Sequence, residues 1–512
     1  MSTIAATSVQ IGPRNYLLVP PKLSDSRLHV AAVTIAVQVL GQTTLGFAVS
    51  IPQIIAAIAT AAVIELLVTF ARQRTFAWPA SAMLTGNGVA LILRDVGTEA
   101  GDYWTFRNWW LFAAISGASL ATKYVLRWRG SHLFNPSNIG LVVAFLILGG
   151  ERIEPLDFWW GGLDAGVVLA YTVIVAGGIV ITDRLHLLEM VWAFILALGV
   201  LIAALAASGH SIVTAWSLTP IDDWHFWWIV MTSPETILFA FFMITDPRIV
   251  PADRRRRIVF AVAVAAASAL LMAPHTTEFG AKVGLLGGLV IVCAARPLLQ
   301  AVLERRSVAV PGHVMVGVTA LLLVGAPIAV AVAGRPARAP ELAIPATAIM
   351  VPADLVPPVA ADRVPPITVD PDVSVFGQGL LGPAAEQVGT DLLFALDAEN
   401  AAVRYQRPGI LPVVSHGGRL RATEERVNAA TSGTYALLHH EFDSMHLTAV
   451  RLTGQGGARL GVASSGTLTA VTFGADGVRA GRTTAPFATT FVMRLADDGR
   501  WLLVGVLPDE SR

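Results

Sequence analysis

Cysteine, lysine and charge are all scarce in this chain of 512 residues. Its single cysteine, Cys293, lies in an apolar segment, which excludes disulfides, zinc fingers and thiolate-bound clusters built by this chain alone. Only three of the 36 basic residues are lysines, and a formal net charge of zero gives no electrostatic footprint for nucleic acid. Residues 1–28 lack the basic region and apolar run of a cleavable signal peptide. We expect them to form an N-terminal tail, which the loop charges described below place in the cytoplasm.

Hydrophobic residues make up 54% of the sequence, charged residues only 14%, and the mean hydropathy is +0.63. These values are typical of a protein that crosses a membrane several times. Eleven apolar segments lie at residues 29–49, 51–71, 79–94, 108–126, 138–150, 164–182, 187–208, 224–245, 257–273, 280–300 and 311–333. We therefore predict an all-α polytopic membrane bundle of 10 or 11 helices over residues 29–334.

Two of these segments, 79–94 and 138–150, are short for the roughly 20 residues that a full crossing needs. Both contain glycine or polar residues. Each may cross the membrane fully, or it may be a half-helix or a re-entrant segment, and the sequence leaves both alternatives open. Half-helices and re-entrant segments are tolerated where protein or water covers the backbone.

Most basic residues of the loops fall on one side of the bundle if all eleven segments cross, and the opposite loops carry few. Those on the basic side are Arg14, Lys22, Arg27, Arg72, Arg74, Lys123, Arg127, Arg129, Arg184, Arg248, residues 254–257, Arg305 and Arg306. The opposite loops are acidic and lie near the tryptophan pairs at 109–110, 159–160 and 227–228. The positive-inside rule and the aromatic belt then predict a bacterial cytoplasmic-membrane protein with its N-terminus inside and its C-terminal domain outside.

The last third of the chain has a different composition. Residues 335–370 are rich in proline and alanine and predict a semi-extended linker. Residues 371–512 predict a soluble α+β domain, with a helix near 382–401 and alternating strands such as 467–473 and 489–495. This order is similar to that of nuclear-transport-factor-like domains. The histidines within 439–446 lack metal-site spacing, so we predict no metal ligands and expect exposed or turn histidines.

Three polar signatures interrupt the apolar segments: SAMLTG at 81–86, FNPSNIG at 134–140 and FFMITDP at 241–247. In order and spacing they resemble segments of the NqrB/RnfD family, the membrane electron-transport proteins of the sodium-pumping NADH:quinone reductase and of the Rnf complex. The resemblance covers about residues 79–300. A divergent branch of this family, found in actinobacterial enediyne biosynthesis clusters, has a similar arginine- and alanine-rich composition.

The resemblance implies a membrane subunit that binds FMN and passes electrons within the bilayer, together with partner membrane or redox subunits. The expected cofactor-binding residues are Thr85, Asn135, Pro136, Asn138, Thr245 and Asp246. The family attaches FMN covalently to a threonine in an S-G-A-T motif between the last two signatures. Here that stretch reads FWWGGLD at 158–164, so we expect any FMN to bind without a covalent bond.

The polar residues of the two later signatures also have structural interpretations. Asn135 and Asn138 flank Pro136 at a predicted helix start, where asparagine caps free N–H groups. Such a terminus also attracts phosphate, so capping alone and capping with a ligand both stay open. Asp246 either pairs with Arg248 or residues 254–257 as a membrane-face anchor, or contacts a cofactor.

Glu235 lies midway through the segment 224–245, next to Pro234. A carboxylate at mid-bilayer costs about 3 kcal/mol and usually faces a partner or a pathway. We therefore predict a catalytic, proton-handling, cation-handling or substrate-handling role for it. Candidate partners are Lys123, Lys282, Gln38 and Gln42. Glu65, nearer the basic end, is expected to extend to the surface or to pair with Arg72.

The leading hypothesis is a flavin-binding redox subunit. Because the chain has neither cysteine ligands nor a dinucleotide glycine fingerprint, it would not oxidise NADH alone. The first alternative is a transporter or export component of a biosynthetic cluster without flavin. The second is a scaffold whose outer domain binds a hydrophobic small molecule.

Overall fold

The structure, a computed structural model, describes the following parts of the chain. They are residues 7–11, 14–20, 25–150, 152–156, 165–214, 217–305, 312–337, 351–371, 373, 380–431, 433–451, 458–496 and 499–508. The run 158–164 and residues 338–350 of the predicted linker lie outside these ranges.

Each of the eleven predicted apolar segments contains helix. The helices are α1 (Ser26–Leu40), α2 (Ile51–Gln73), α3 (Ala80–Ile92), α4 (Trp109–Val125), α5 (Pro136–Leu148), α6 (Ala165–Arg184), α7 (Leu188–Ala207), α8 (Asp223–Thr232), α9 (Pro234–Leu238), α10 (Arg254–Met272), α11 (Glu278–Arg305) and α12 (Gly312–Ala333). A π-helical turn, Gly41–Leu45, extends α1, and another, Phe239–Met243, extends α9.

Five helices in the described part of the chain are long and apolar enough to cross a membrane: 26–45, 51–73, 165–184, 188–207 and 278–298. Helix α9 and its π-helical turn, Pro234–Met243, are called the α9 unit below. A sixth crossing results if α8 and the α9 unit, which are bent by 45° relative to each other, count as one span. The chain is therefore a mostly helical protein with several candidate spans, and the count of 10 or 11 crossings stays a prediction. Helix α10 misses the criterion because four arginines occupy its first turn.

The two segments that look short in the sequence form short helices, because α3 and α5 have 13 residues each. Each is followed by a strand. Strand β4 (Leu93–Asp95) follows α3 directly, and β7 (Ile153–Pro155) follows α5 after a short turn. These two strands pair antiparallel, so the C-terminal ends of α3 and α5 lie side by side.

Short strands also occur at the other end of the bundle and in a loop. Strands β1 (Thr7–Ile11) and β2 (Arg14–Val19) form a sheet with β3 (Thr75–Ala77), and β5 (Arg127–Trp128) pairs with β6 (Ser131–His132). Strands β8 (Ile212–Thr214) and β9 (Ser217–Ile221) form a hairpin between α7 and α8. The predicted N-terminal tail therefore contains two strands.

The C-terminal region is α+β, as predicted. Its helices are α13 (Pro383–Tyr405) and α14 (Gly417–Ala430), and its strands are β10 (Ile367–Val369), β11 (Tyr435–Arg451), β12 (Ala458–Phe473), β13 (Arg479–Leu495) and β14 (Trp501–Pro508). The sheet has the order β10-β11-β12-β13-β14, with β10 parallel to β11 and the other pairs antiparallel. The predicted helix at 382–401 and the strands at 467–473 and 489–495 are confirmed.

The predicted linker boundary at residue 370 is wrong. Val351 and Val356 are buried in the core of the C-terminal region, and β10 is a strand of its sheet. The valines of this proline-rich segment supply apolar side chains that are buried against the domain. Residues 351–369 therefore belong to the domain rather than to the linker.

The C-terminal domain packs on the loops that follow α3 and α5. The amide of Gly417, at the start of α14, donates to the carbonyl of Val96, just after β4, at 2.9 Å. These loops lie at the opposite ends of α3 and α5 from the basic loops of residues 72–74 and 127–129. The arginine-rich end of the helical region and the domain-bearing end are therefore opposite ends.

Candidate functional site

A cavity of about 790 Å³ lies among α1 to α5, the α9 unit and α11. That volume is within the range of small-molecule sites. Its mouth is at the arginine-rich end, where Arg27, Arg72, Arg127 and Arg248 line it. It extends along α3 to Pro155 and Leu156, beside the β4–β7 pair.

Five of the seven predicted site residues line this cavity: Thr85, Asn135, Pro136, Glu235 and Asp246. The other two have helix-stabilising contacts. Asn138 donates to the carbonyl of Leu286 on α11 at 3.1 Å, and the Thr245 hydroxyl donates to the carbonyl of Phe241 at 2.6 Å. The sequence signatures therefore supply both the cavity wall and the contacts that support it.

The two later signatures contact each other at the mouth of the cavity. His132 Nε2 lies 3.0 Å from Asp246 Oδ2, and Asn135 Nδ2 donates to the carbonyl of Met243 at 3.1 Å. These pairs are 114 and 108 residues apart in the sequence. These contacts explain two of the polar groups in the signatures. Asn135 binds a backbone carbonyl of the later signature, and Asp246 binds His132, two residues before the earlier one.

Asn135 is the N-cap of α5. Its Oδ1 accepts from the Asn138 amide at 3.3 Å and from the Ser137 hydroxyl at 2.9 Å. Capping is therefore present, while the ligand contact stays a prediction. Thr85 uses its hydroxyl within α3, donating to the Ser81 carbonyl at 3.1 Å.

The expected partners of Asp246 need correction. Its Oδ1 accepts from the backbone amide of Arg248 at 3.0 Å rather than from the guanidinium. Arg254, from the cluster at 254–257, instead pairs with Glu189. The short turn after Pro247 brings the Arg248 amide to the carboxylate, while α10 carries the arginine cluster towards α7.

Glu235 pairs with Lys282, one of the four partners considered, at 3.1 Å. Lys123 instead binds Glu65 at 2.9 Å, and the Tyr124 hydroxyl donates to the same carboxylate at 2.5 Å. The expected Glu65–Arg72 pair is therefore wrong, because α4 carries a closer cation. Gln42 donates to the Val49 carbonyl at 2.6 Å, in the segment between α1 and α2.

Sequence reasoning missed Glu278. Its carboxylate lies 2.8 Å from Lys282 Nζ, and only 6% of the residue is exposed. The sequence did contain a signal for it, because Glu278 and Lys282 form an acid–base pair at positions i and i+4 at the start of α11.

Asn87 is a second residue that the sequence analysis missed. It lines the cavity, is 4% exposed, and donates through Nδ2 to the Thr34 hydroxyl at 2.6 Å. Its Oδ1 accepts no hydrogen bond from the described residues. A buried amide oxygen without a donor is costly, so it is a ready acceptor for a ligand N–H.

A buried ionic network joins the domain to the β4–β7 pair. Arg494 of β13 contacts Glu154 of β7 at 3.2 Å, and Arg94 lies 3.6 Å from the same carboxylate. Burial alone would raise the pKa of Glu154, but the charges of Arg494 and Arg94 hold that pKa well below its usual range. Glu154 therefore stays ionised at neutral pH.

His416 lies in the same network. Its Nε2 is 2.7 Å from Arg494 Nη1, an arrangement in which the imidazole accepts the hydrogen bond. Burial and the nearby Arg494 charge lower the pKa of His416 to about 4. The imidazole is therefore neutral at pH 7. Two further ion pairs join the same surfaces, Arg107 with Glu424 and Arg421 with Asp102. Arg107 also pairs with Asp95 of its own side.

The histidines of residues 439–446 are only partly exposed. His439 faces solvent, as expected. His440 packs among Phe442, Phe487 and Phe491, and burial lowers its pKa to about 4, so the expectation of an exposed residue is wrong there. His446 pairs with Asp370 at 2.7 Å.

No protein-family description and no curated protein matches this sequence.

Proposed function

We propose that the chain is a multispanning protein of the bacterial cytoplasmic membrane whose cavity holds a non-covalently bound flavin, as part of a redox complex. The observation that carries this proposal is the convergence of all three sequence signatures on one cavity through Thr85, Asn135 and Asp246. In the family that the chain resembles, the membrane subunit that carries such signatures binds FMN.

The cavity fits an amphipathic anion such as FMN. Arginines at the mouth and the N-terminus of α5 favour a phosphate there. Apolar walls from Leu84, Phe239 and Phe242 suit a flat ring, and Asn87 Oδ1 offers an acceptor for a ring N–H. When bound, a flavin supplies one- and two-electron transfer; this chain supplies its binding, orientation and shielding from water.

A transporter or export component without flavin is the second candidate. The buried Glu235–Lys282 pair in the cavity wall favours it, because ionisable residues within membrane helices usually mark a pathway for ions or substrates. In either function, the cavity opens towards the arginine-rich end, which the positive-inside rule assigns to the cytoplasm.

An absorption spectrum of the purified full-length protein tests the flavin proposal. We expect flavin bands in the wild type, and a yellow supernatant with a non-fluorescent protein band after denaturation. Asn87→Leu should reduce the flavin content, whereas Asn428→Leu on the exposed face of α14 should not. A wild type without flavin would favour the transporter, and a fluorescent band after denaturation would mean covalent attachment.

Cysteine labelling tests the orientation. After Cys293→Ser, Ala475→Cys in the turn between β12 and β13 and Arg255→Cys at the arginine-rich end each give one exposed thiol. A membrane-impermeant maleimide should label Ala475→Cys in intact cells, and Arg255→Cys only after permeabilisation. Labelling in the reverse order would contradict an internal N-terminus.

A further inference from the structure

The loop between β4 and α4 presents a row of aromatic side chains. Trp104 and Phe106 are each 70% exposed, and Tyr103 beside them is 43% exposed. Helix α4 then begins with two more exposed aromatic residues, Trp109 and Trp110. Residues 103–110 are called the aromatic loop below. The packing of the described residues does not account for so many exposed rings in one short segment, and a contiguous apolar patch of this kind marks an interaction surface.

The aromatic loop is fixed by hydrogen bonds of its own backbone. The carbonyls of Tyr103, Thr105 and Arg107 accept hydrogen bonds of 2.7 to 2.9 Å from the N-cap and the first residues of α2. The side chains of the intervening Trp104 and Phe106 stay exposed. The loop is therefore held with these rings outward, so binding a partner through them costs little further ordering of the chain.

Helix α2 sets the level of the aromatic loop along the bundle. It has 23 residues and is therefore about 34 Å long, close to the ~30 Å thickness of the hydrocarbon core of a bilayer. Arg72 lies in its last turn, at the arginine-rich end, whereas the aromatic loop is bonded to its first turn. Between the two ends α2 exposes the apolar residues Ile55, Val63 and Leu67. If α2 crosses a membrane with its arginine at one surface, the aromatic loop lies at the other.

The charged side chains of this segment are paired within the protein. Arg107 is the only charged residue of the aromatic loop, and it binds Asp95 and Glu424. Asp102, just before the loop, binds Arg421. Glu424 and Arg421 lie three residues apart on one face of α14, so the charged groups contact the C-terminal domain. The exposed row is therefore aromatic and uncharged, which favours a partner recognised by apolar rings rather than by ion pairs.

Exposed tryptophans recur at the domain-bearing end in another part of the bundle. Trp224 and Trp228 of α8 are exposed as well. Helix α7 begins at the arginine-rich end, where Glu189 pairs with Arg254, so the β8–β9 hairpin and the start of α8 lie at the other end. Tryptophan and tyrosine join an apolar ring to an N–H or O–H group and are enriched where a membrane meets water. Separate groups of such residues at one end of the bundle fit a lipid surface better than a single protein partner.

We propose that the aromatic loop is a lipid anchor, with the rings of Trp104 and Phe106 in the headgroup region of the leaflet at the domain-bearing end. This rests on the proposed membrane location. The partner is the interface of the bilayer itself, and a zwitterionic lipid suffices because Arg107 is already paired. The hydrogen bonds to the start of α2 hold the rings at that depth.

Spin labelling of the full-length protein in phosphatidylcholine vesicles tests the anchor. In a Cys293→Ser background, Phe106→Cys, Val63→Cys on the exposed face of α2 and Ala475→Cys in the turn between β12 and β13 each carry one label. Power saturation compares collisions with oxygen, which concentrates in hydrocarbon, and with a nickel chelate, which stays in water. We expect the oxygen-to-nickel ratio at Phe106 to be at least about fivefold above that at Ala475 and below that at Val63.

The Val63 label separates the two proposals. A ratio at Phe106 equal to that at Ala475, with a high ratio at Val63, would overturn the lipid anchor and leave the membrane location intact. Low ratios at all three positions would overturn the membrane location and the anchor together. Trp104→Cys, which keeps Phe106, repeats the measurement in case Phe106→Cys does not fold, and the same intermediate ratio is expected there.

Discussion

At the scale of single residues, polar groups that look exceptional in the sequence find specific partners. Asp246 meets His132, and Glu235 meets Lys282. Residue type and depth predict that such a group needs a partner, because an unpaired charge in an apolar bundle is costly. They do not predict which partner, since that depends on how the helices are arranged. Lys123 and Lys282 are equal candidates in the sequence for Glu235, and only the packing of α2 against α4 assigns Lys123 to Glu65.

Replacing Asn135 by alanine removes both the cap of α5 and the hydrogen bond to Met243. Loss of an asparagine cap typically costs about 1–2 kcal/mol, so we expect a lower unfolding temperature. Thermal unfolding of the purified protein measures this. Asn428→Ala on the exposed face of α14 is the control, and an equal unfolding temperature for the two variants would contradict the role of Asn135.

At the scale of elements, the sequence predicts the helices well because apolar periodicity and length are local properties. The short α3 and α5, and the helix and strands of the C-terminal domain, all follow from such local patterns. The strand β10 does not, because three residues in a proline-rich stretch carry little strand signal and gain their partner only from β11. The β4–β7 pair likewise depends on two distant helix ends meeting.

Gly86 allows α3 to approach α2. A Cβ at this position would lie 2.4 Å from the backbone oxygen of Ala57, which cannot move without shifting α2. Gly86→Ala should therefore cost about 1–3 kcal/mol of stability and reduce ligand binding by moving Thr85. Gly317→Ala in α12 has no atom within 4 Å and should be neutral or slightly stabilising. A chemical-denaturation series for both variants measures the difference, and equal midpoints would refute it.

At the scale of the whole molecule, the C-terminal domain is attached to the ends of the two short cavity-lining helices. Glu154 contacts Arg494 of the domain, and the next two residues of the chain, Pro155 and Leu156, line the cavity. We therefore expect a change in how the domain docks to shift the cavity wall through the consecutive residues Glu154, Pro155 and Leu156.

The docking network predicts a pH dependence. The pKa of His416 is about 4 in the folded protein and about 6.5 when unfolded, so the unfolded state binds the extra proton between these values. The stability that His416 contributes is present above pH 6.5 and falls by about 3 kcal/mol as the pH drops to about 4. His440, whose pKa is also about 4, adds to the loss over the same range. Glu154, whose pKa is held below 4.5, adds a further loss at lower pH.

Thermal unfolding between pH 7 and pH 4 measures this dependence. His416→Gln keeps an acceptor for Arg494 but cannot titrate, so its curve should be flatter over the same range. His439→Gln on the exposed face of β11 is the matched control and should follow the wild type. A wild type whose unfolding temperature does not change across this range would rule out the network as the source.

The ion pairs that dock the domain also set an order of events during synthesis. Glu154 and Arg494 are 340 residues apart, and Arg107 and Glu424 are 317 apart. At ribosomal speed, on the order of 20–70 s separate the two halves of each pair. Throughout that interval the loops with Arg107 and Glu154 have left the ribosome without their partners Glu424 and Arg494. The loops between the early helices therefore form their last ion pairs only when the C-terminal domain has been made. A chain that ends before β13 lacks Arg494, so Glu154 is left without this partner.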